Sequence, residues 1–190
     1  MSELQSNLNG AQSEAGQIIR IGDRGPVGQV TLRGDLQSET LRAAVKAAVG
    51  LDAPDRLRAS FDGERGAVWM SPDELLLFTA YDKAGEMVDG LEATLSGAHH
   101  MAVDVSDARA VIALSGEKVG EVLAKGAPLD LSDVAFPVGT ARRTHISGIA
   151  VAFWRKADAE WEIVCLRSFA WHLFDWIVEA SREGSEVGVL

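Results

Sequence analysis

One short pattern recurs and limits the folds open to this chain: a strand that ends in glycine and an acid and leads straight into a helix. It occurs at Leu32–Asp35 and again, 82 residues later, at Leu114–Glu117. A pair of strands running into a long helix recurs with a similar offset, at 67–96 and at 149–181. Two split βαβ-like units in series imply an α+β chain, with mostly antiparallel sheets and helices packed on one face. The expected domain spans 17–190 as one compact body of two related halves, 27–97 and 101–182.

The local signals fill in this order. Val27–Arg33 alternates as a strand. Ser38 then caps a helix whose apolar positions Leu41, Ala44, Val45, Ala48 and Val49 follow helical spacing, and Gly50 stops it. Strands at 67–70 and 74–79 flank the turn Ser71-Pro72-Asp73, and a second amphipathic helix covers 82–96. Strands at 101–105 and 110–114 precede a helix from Ser115 to about Lys125. Three more strands follow, at 140–146, 149–155 and 161–167, and Ser168 caps a last helix to about Ser181.

Residues 1–16 are polar and rich in Ser, Gln, Asn and Gly; nothing in them repays the entropy of ordering, so a disordered tail is expected there. They carry neither the basic start nor the apolar run of a secretory signal. No window reaches the roughly 18 apolar residues of a membrane span. The lone cysteine, Cys165, has no partner for an internal disulfide, and a cytoplasmic setting is the expectation. The net charge is −10, with no long basic run, which argues against nucleic acid and anionic membranes and leans towards protein partners with basic surface.

The last helix, S-F-A-W-H-L-F-D-W-I-V-E-A-S-R over 168–182, is the most informative segment. Its polar residues His172, Asp175, Glu179 and Arg182 fall within an arc of about 80°. The remaining arc carries Phe169, Trp171, Leu173, Phe174, Trp176, Ile177 and Val178, more apolar surface than one sheet covers. Either the helix is covered on both sides within the chain, or one side faces another protein.

Catalytic patterns are hard to find. His99 and His100 are adjacent and point to opposite faces of a strand, and His145 has no recognisable carboxylate or nucleophile beside it. Ser115-Gly116-Glu117-Lys118 lacks the first glycine of a phosphate loop and puts an acid where an anion would sit. Cys165 reads as a packed thiol. Arg142, Arg143, Arg155, Lys156 and Arg167 fall on strands expected to be neighbours, where they form a basic patch or pair with nearby acids. No catalytic, cofactor-binding or metal-ligating residue is assigned. The candidate interface residues are Trp171, Trp176 and Phe174, with Arg142 and Arg143 at a polar rim and the strands of Trp69 and Trp154 as further apolar contributors.

Five stretches occur in register: W-M-S-P-D-E-L-L-L (69–77), V-D-V-S-D-A-R-A-V-I-A-L-S-G (103–116), L-A-K-G-A-P-L-D-L (123–131), A-F-P-V-G-T-A-R-R-T (135–144) and R-S-F-A-W-H-L-F-D-W (167–176). Together they resemble the gamma subunits of heterotetrameric sarcosine oxidases, over about residues 27–182. The resemblance implies a fold similar to the folate-binding region of glycine-cleavage aminomethyltransferases. It also implies an oxidoreductase assembly with alpha, beta and delta subunits that demethylates sarcosine to glycine and passes the one-carbon unit to tetrahydrofolate. FAD, FMN, NAD and tetrahydrofolate are then expected on partner subunits, zinc on delta, and none of these on this chain, whose implied role is assembly and stabilisation. The alternatives are a small folate-binding module, for which Asp104 or Asp73 would hold the pterin edge, and a stand-alone adaptor.

Overall fold

The computed structural model describes residues 6–188 of the 190. In chain order the elements are β1 (Gln12–Ser13), β2 (Arg20–Asp23), β3 (Gly28–Gly34), α1 (Glu39–Val49), β4 (Ala59–Asp62), β5 (Arg65–Ser71), β6 (Glu74–Thr79), α2 (Ala84–Thr94), β7 (His100–Asp104), β8 (Arg109–Ser115), α3 (Val119–Ala124), β9 (Ala141–Ile146), β10 (Ile149–Ala157), β11 (Glu160–Leu166) and α4 (Ala170–Ala180). Single 3-10 turns, Tyr81–Lys83 and Arg167–Phe169, lead into α2 and α4. The chain divides into two compact units, one continuous (Val27–Asp107) and one assembled from both ends of the chain (residues 1–26 with Ala108–Leu190).

Each unit has its own antiparallel sheet. In the continuous unit the strand order is β4-β5-β6-β3-β7; in the discontinuous unit it is β9-β10-β11-β8-β2-β1. The first four places match: a three-stranded meander preceded by the strand that enters the unit's first helix. The fifth place differs in origin. It belongs to β7, which follows α2 directly, in one unit, and to β2, far upstream of its neighbour β8, in the other.

The elements form where the sequence signals them. α1 starts after Ser38 in extended backbone and ends at Gly50, whose φ of +81° lets its amide reach back to Lys46 O at 2.9 Å. Its Leu41, Ala44, Val45 and Val49 pack with α2 residues Ala84, Met87 and Leu91 against Val30, Leu32, Leu75 and Leu77 of the sheet. All six residues of β6 are buried, as a continuous run (E-L-L-L-F-T) predicts for a strand covered on both faces. The β9–β10 hairpin closes on Ser147 and Gly148, with φ of +50° and +83°, the two left-handed residues that a tight hairpin needs.

In the discontinuous unit, Ala110, Ile112, Leu114, Ile149, Val151, Phe153, Trp161, Ile163 and Cys165 alternate along three strands on the face that receives α3 and α4. Phe136, Phe153 and Trp161 form its aromatic centre. The Phe136 and Trp161 rings are stacked at 4.9 Å between centroids.

The expected disordered tail over 1–16 is corrected for its described part. Leu8 is fully buried in the core, and β1 pairs with β2 at Gln12↔Gly22 and Ser13↔Ile21. Ile18 N–H donates to Ser181 O at 2.8 Å, and Glu183 N–H to Gly16 O at 3.0 Å. Asp23 gathers the segment by accepting from Ser6 Oγ and from the Gly10 and Gly25 amides. Its nearest partners, β2 and Asp23, are themselves held by segments about ninety residues or more downstream, so local composition misjudges it. Residues 1–5 lie outside the described residues.

The other end of the chain is strapped in the same unit. Lys125 Nζ donates to Ala180 O and Ser185 O, both at 2.6 Å, and buried Glu121 accepts from the Val187 and Gly188 amides and from Lys118 Nζ. Those donors, the Gly188 amide first and Lys118 next, hold the Glu121 carboxyl down at about 2, against an ordinary 4.5. A depressed folded-state pKa stabilises the strap above the unfolded value, and that stabilisation is lost as pH falls through the folded one. Amide-exchange protection at Val187 and Gly188 is therefore expected to hold at pH 7 and to decline between about 4.5 and about 2. In Glu121→Gln it is expected to be weak at every pH. Undiminished protection in that variant would show that the carboxylate does not hold the tail.

Candidate functional site

α4 explains where the excess apolar surface of the last helix goes. Ala170, Leu173, Phe174 and Ile177, at i, i+3, i+4 and i+7, form the stripe buried against the sheet. Trp176 and Val178 flank this stripe, half-buried against the core. The Trp176 ring lies so close to Gly126 that a Cβ there would sit 2.5 Å from it, which explains the glycine in the 123–131 motif. Trp171 projects on the remaining side and is 45% exposed, with an edge-on contact to Phe174 at 5.9 Å.

Two further large apolar side chains close to it in the chain are exposed, Leu166 at the end of β11 (53%) and Phe169 in the 3-10 turn (46%). Leu166, Phe169 and Trp171 thus make an apolar ledge of the β11–α4 junction in this sense: three half-exposed apolar side chains within six residues. The junction is fixed. Arg167 N–H donates to Ala108 O at 2.9 Å, and Asn7 Nδ2 donates to Arg167 O at 2.7 Å. Exposed apolar groups on a tied backbone suit docking, because little side-chain and chain entropy is left to lose on binding.

The five candidate interface residues therefore separate. Trp171 and Arg143 are exposed, Trp176 and Arg142 are half-buried, and Phe174 is a core residue. Arg142 lies over the Phe136 ring at 5.7 Å. Leu166 and Phe169 escape a reading centred on the helix wheel. Their signal is the burial period of β11, which leaves Leu166 one residue past its last inward side chain, Cys165.

The basic residues do not act as one patch. The Arg155 guanidinium is buried and donates to Asp133 Oδ1 at 2.6 Å, Phe136 O at 3.2 Å and Asp158 O at 2.8 Å, while lying 5.5 Å over the Trp161 ring. Lys156 and Arg24 both meet Glu162 Oε1, at 3.2 and 2.7 Å. Arg155 and Arg24 thus tie loops to the sheet, while Lys156 pairs across neighbouring strands.

His100 Nδ1 lies 2.9 Å from Ala98 O and its Nε2 3.3 Å from Glu92. His145 and His172 are exposed on separate elements. Burial pushes the Cys165 thiol up to about 11, far from a nucleophilic thiolate at neutral pH. No group of three His, Cys, Asp or Glu able to hold a metal occurs among the described residues. Asp104 accepts from the Ser106 amide and hydroxyl, and Asp73 from Ser71 Oγ with Arg33 3.6 Å away. Both carboxylates put forward for a pterin edge are thus engaged in local turns. Lys118, in the phosphate-loop-like stretch, pairs with Glu121, and the helix there is only six residues long. No helix of the described residues is long and apolar enough to cross a membrane.

Comparison with known proteins places this arrangement. The sequence model of the "Sarcosine oxidase, gamma subunit family" matches residues 33–183. The sarcosine oxidase subunit gamma of Corynebacterium sp. (strain U-96) is 32% identical over 152 residues, 79% of this chain and 73% of that one. Its counterpart from Arthrobacter sp. is 32% identical over 145 residues, 74% of this chain and 70% of that one. Among solved structures, the heterotetrameric sarcosine oxidase of Corynebacterium sp. U-96 in complex with pyrrole 2-carboxylate has a chain that matches with a TM-score of 0.81. The identity is 29%, covering 94% of this chain and 91% of that one. The glycine cleavage system aminomethyltransferase T of Bartonella henselae shares the fold alone, with a TM-score of 0.58 at 14% identity over 80% of this chain and 43% of its own.

Proposed function

Because the chain belongs to the sarcosine oxidase gamma subunit family, we propose that within its sarcosine oxidase it is a non-catalytic subunit that docks on a partner through the ledge at Leu166, Phe169 and Trp171. The ledge carries this reading: three large apolar side chains, each about half exposed, fall within six residues of one tied junction. Aromatic anchors of this kind form the cores of protein interfaces. Arg143, exposed on the edge strand β9, supplies a candidate polar rim.

The assembly so formed oxidatively demethylates sarcosine to glycine and passes the one-carbon unit to tetrahydrofolate, in the cytoplasm. Its alpha, beta and delta partners hold FAD, FMN, NAD and tetrahydrofolate, and this chain contributes assembly and stability.

The test is co-purification. A tagged chain drawn from its source cells is expected to bring down large flavin-bearing subunits, recognised by mass and by flavin absorbance, and to be colourless when expressed alone. Recovery as a clean monomer without flavin-bearing partners would overturn the assembly role.

A further inference from the structure

The connection between α1 and β4 is irregular yet well tied. Leu57 holds φ +62°, a left-handed backbone that bulky side chains rarely adopt and that marks segments held by their surroundings. The Trp69 amide donates to Arg58 O at 3.0 Å, and the Arg42 side chain reaches from α1 to Ala53 O at 3.2 Å. Facing this loop, β5 shifts register between Trp69 and Ser71, a bulge of the kind that re-aims side chains beside binding sites. Loop and bulge line a half-open cavity of about 370 Å³.

Leu36, Pro54, Trp69 and Pro72 give that cavity apolar walls. Arg42 and Arg56 line it with Asp55, an excess of one positive charge in a chain whose net charge is −10. The volume lies in the range of about 300–1,000 Å³ typical of small-molecule sites. An indole face beside two prolines suits a flat apolar body, and a guanidinium fork suits a carboxylate.

We propose that the continuous unit carries a binding site for a small monocarboxylate with a planar apolar body, with the body against Trp69 and the carboxylate towards Arg42 and Arg56. One net positive charge matches a monoanion better than a phosphate dianion. The site stands apart from the assembly role, whose residues belong to the other unit.

The full chain is titrated calorimetrically with indole-3-acetate and, as its neutral counterpart, indole-3-acetamide. The acid is expected to bind with Kd of about 1 mM or tighter, and the amide at least about tenfold more weakly. Arg56→Gln, on an exposed loop position, is expected to weaken the acid about tenfold without altering the thermal midpoint. Bound acid is expected to shield Arg56 from phenylglyoxal while leaving Arg182, in the other unit, reactive. Arg42→Gln gives a second reading of the same contact. Equal affinity for acid and amide, or unchanged affinity in both arginine variants, overturns the proposal.

Discussion

Trp161→Ala is expected to lower the unfolding free energy by about 3–5 kcal/mol, the range for truncating a buried Trp or Phe. The indole sits at the centre of the discontinuous unit's core. It is stacked on Phe136, lies 6.2 Å from Phe153, and is covered by the Arg155 guanidinium. Its loss opens a cavity and also loosens what it supports. The 132–136 loop is held to the sheet through the Phe136 ring on Trp161 and through Arg155, which grips Asp133 and Phe136 O. The thermal midpoint is therefore expected to fall by roughly 10 °C, at about 2–4 °C per kcal/mol for a chain of this size. Proteolysis should open first in the 132–139 loop. Trp161→Phe, which keeps a ring on Phe136, is expected to lose less than half as much. A fall below about 1 kcal/mol for the alanine variant would show that the stack does not anchor this core.

Trp171→Ala is expected to do the reverse: little to the fold, much to the assembly. The side chain is half exposed and its ring contact with Phe174 is edge-on, so about 1 kcal/mol of stability is at stake. An aromatic anchor at the core of an interface is worth about 2 kcal/mol or more on truncation, a loss of roughly 30-fold in affinity. Co-purified flavin should then drop steeply while the circular dichroism spectrum of the chain is unchanged. Phe174→Ala supplies the contrast. Its ring is buried, so its complex is expected to be lost through unfolding, with a drop of about 3–5 kcal/mol. An intact complex in Trp171→Ala, and again in Leu166→Ser and Phe169→Ala, would remove the ledge from the interface.

How far the sequence reveals the fold depends on where each segment finds its partners. α1 is legible because Ser38, the apolar spacing and Gly50 agree over a dozen residues. The Ser147-Gly148 hairpin and the run of β6 are legible for the same local reason. β1, β2 and β4 are not: each is four residues or fewer, and β2 becomes a strand only by pairing with β8, Ile21 opposite Leu114. The alternation Ile19-Arg20-Ile21, in–out–in, is the signal that was there to find. The same limit governs the ledge. A helix wheel counts apolar residues without knowing that Gly126 makes room for Trp176, so it cannot say which aromatic is left outside. The cavity at Trp69 is illegible for a further reason, since a left-handed leucine and a strand bulge leave no periodic trace.

The origin of the fifth strand has a consequence for the order in which the two sheets are made. The continuous unit has all its strands within Val27–Asp107, so it can close as soon as that stretch has left the ribosome. In the other sheet β2 can pair with β1 at once, but its opposite edge must wait until β8, more than eighty residues later, has been synthesised. Pairings of such long sequence separation are slow, because loop closure precedes the contacts that reward it. A refolding experiment with pulsed hydrogen exchange is expected to protect β3 and β6 before β2. Simultaneous protection would mean that the two sheets form as one cooperative event. Until β8 arrives, that edge of β2 remains an open template for intermolecular pairing, which makes the nascent chain, more than the finished subunit, the species at risk of aggregation.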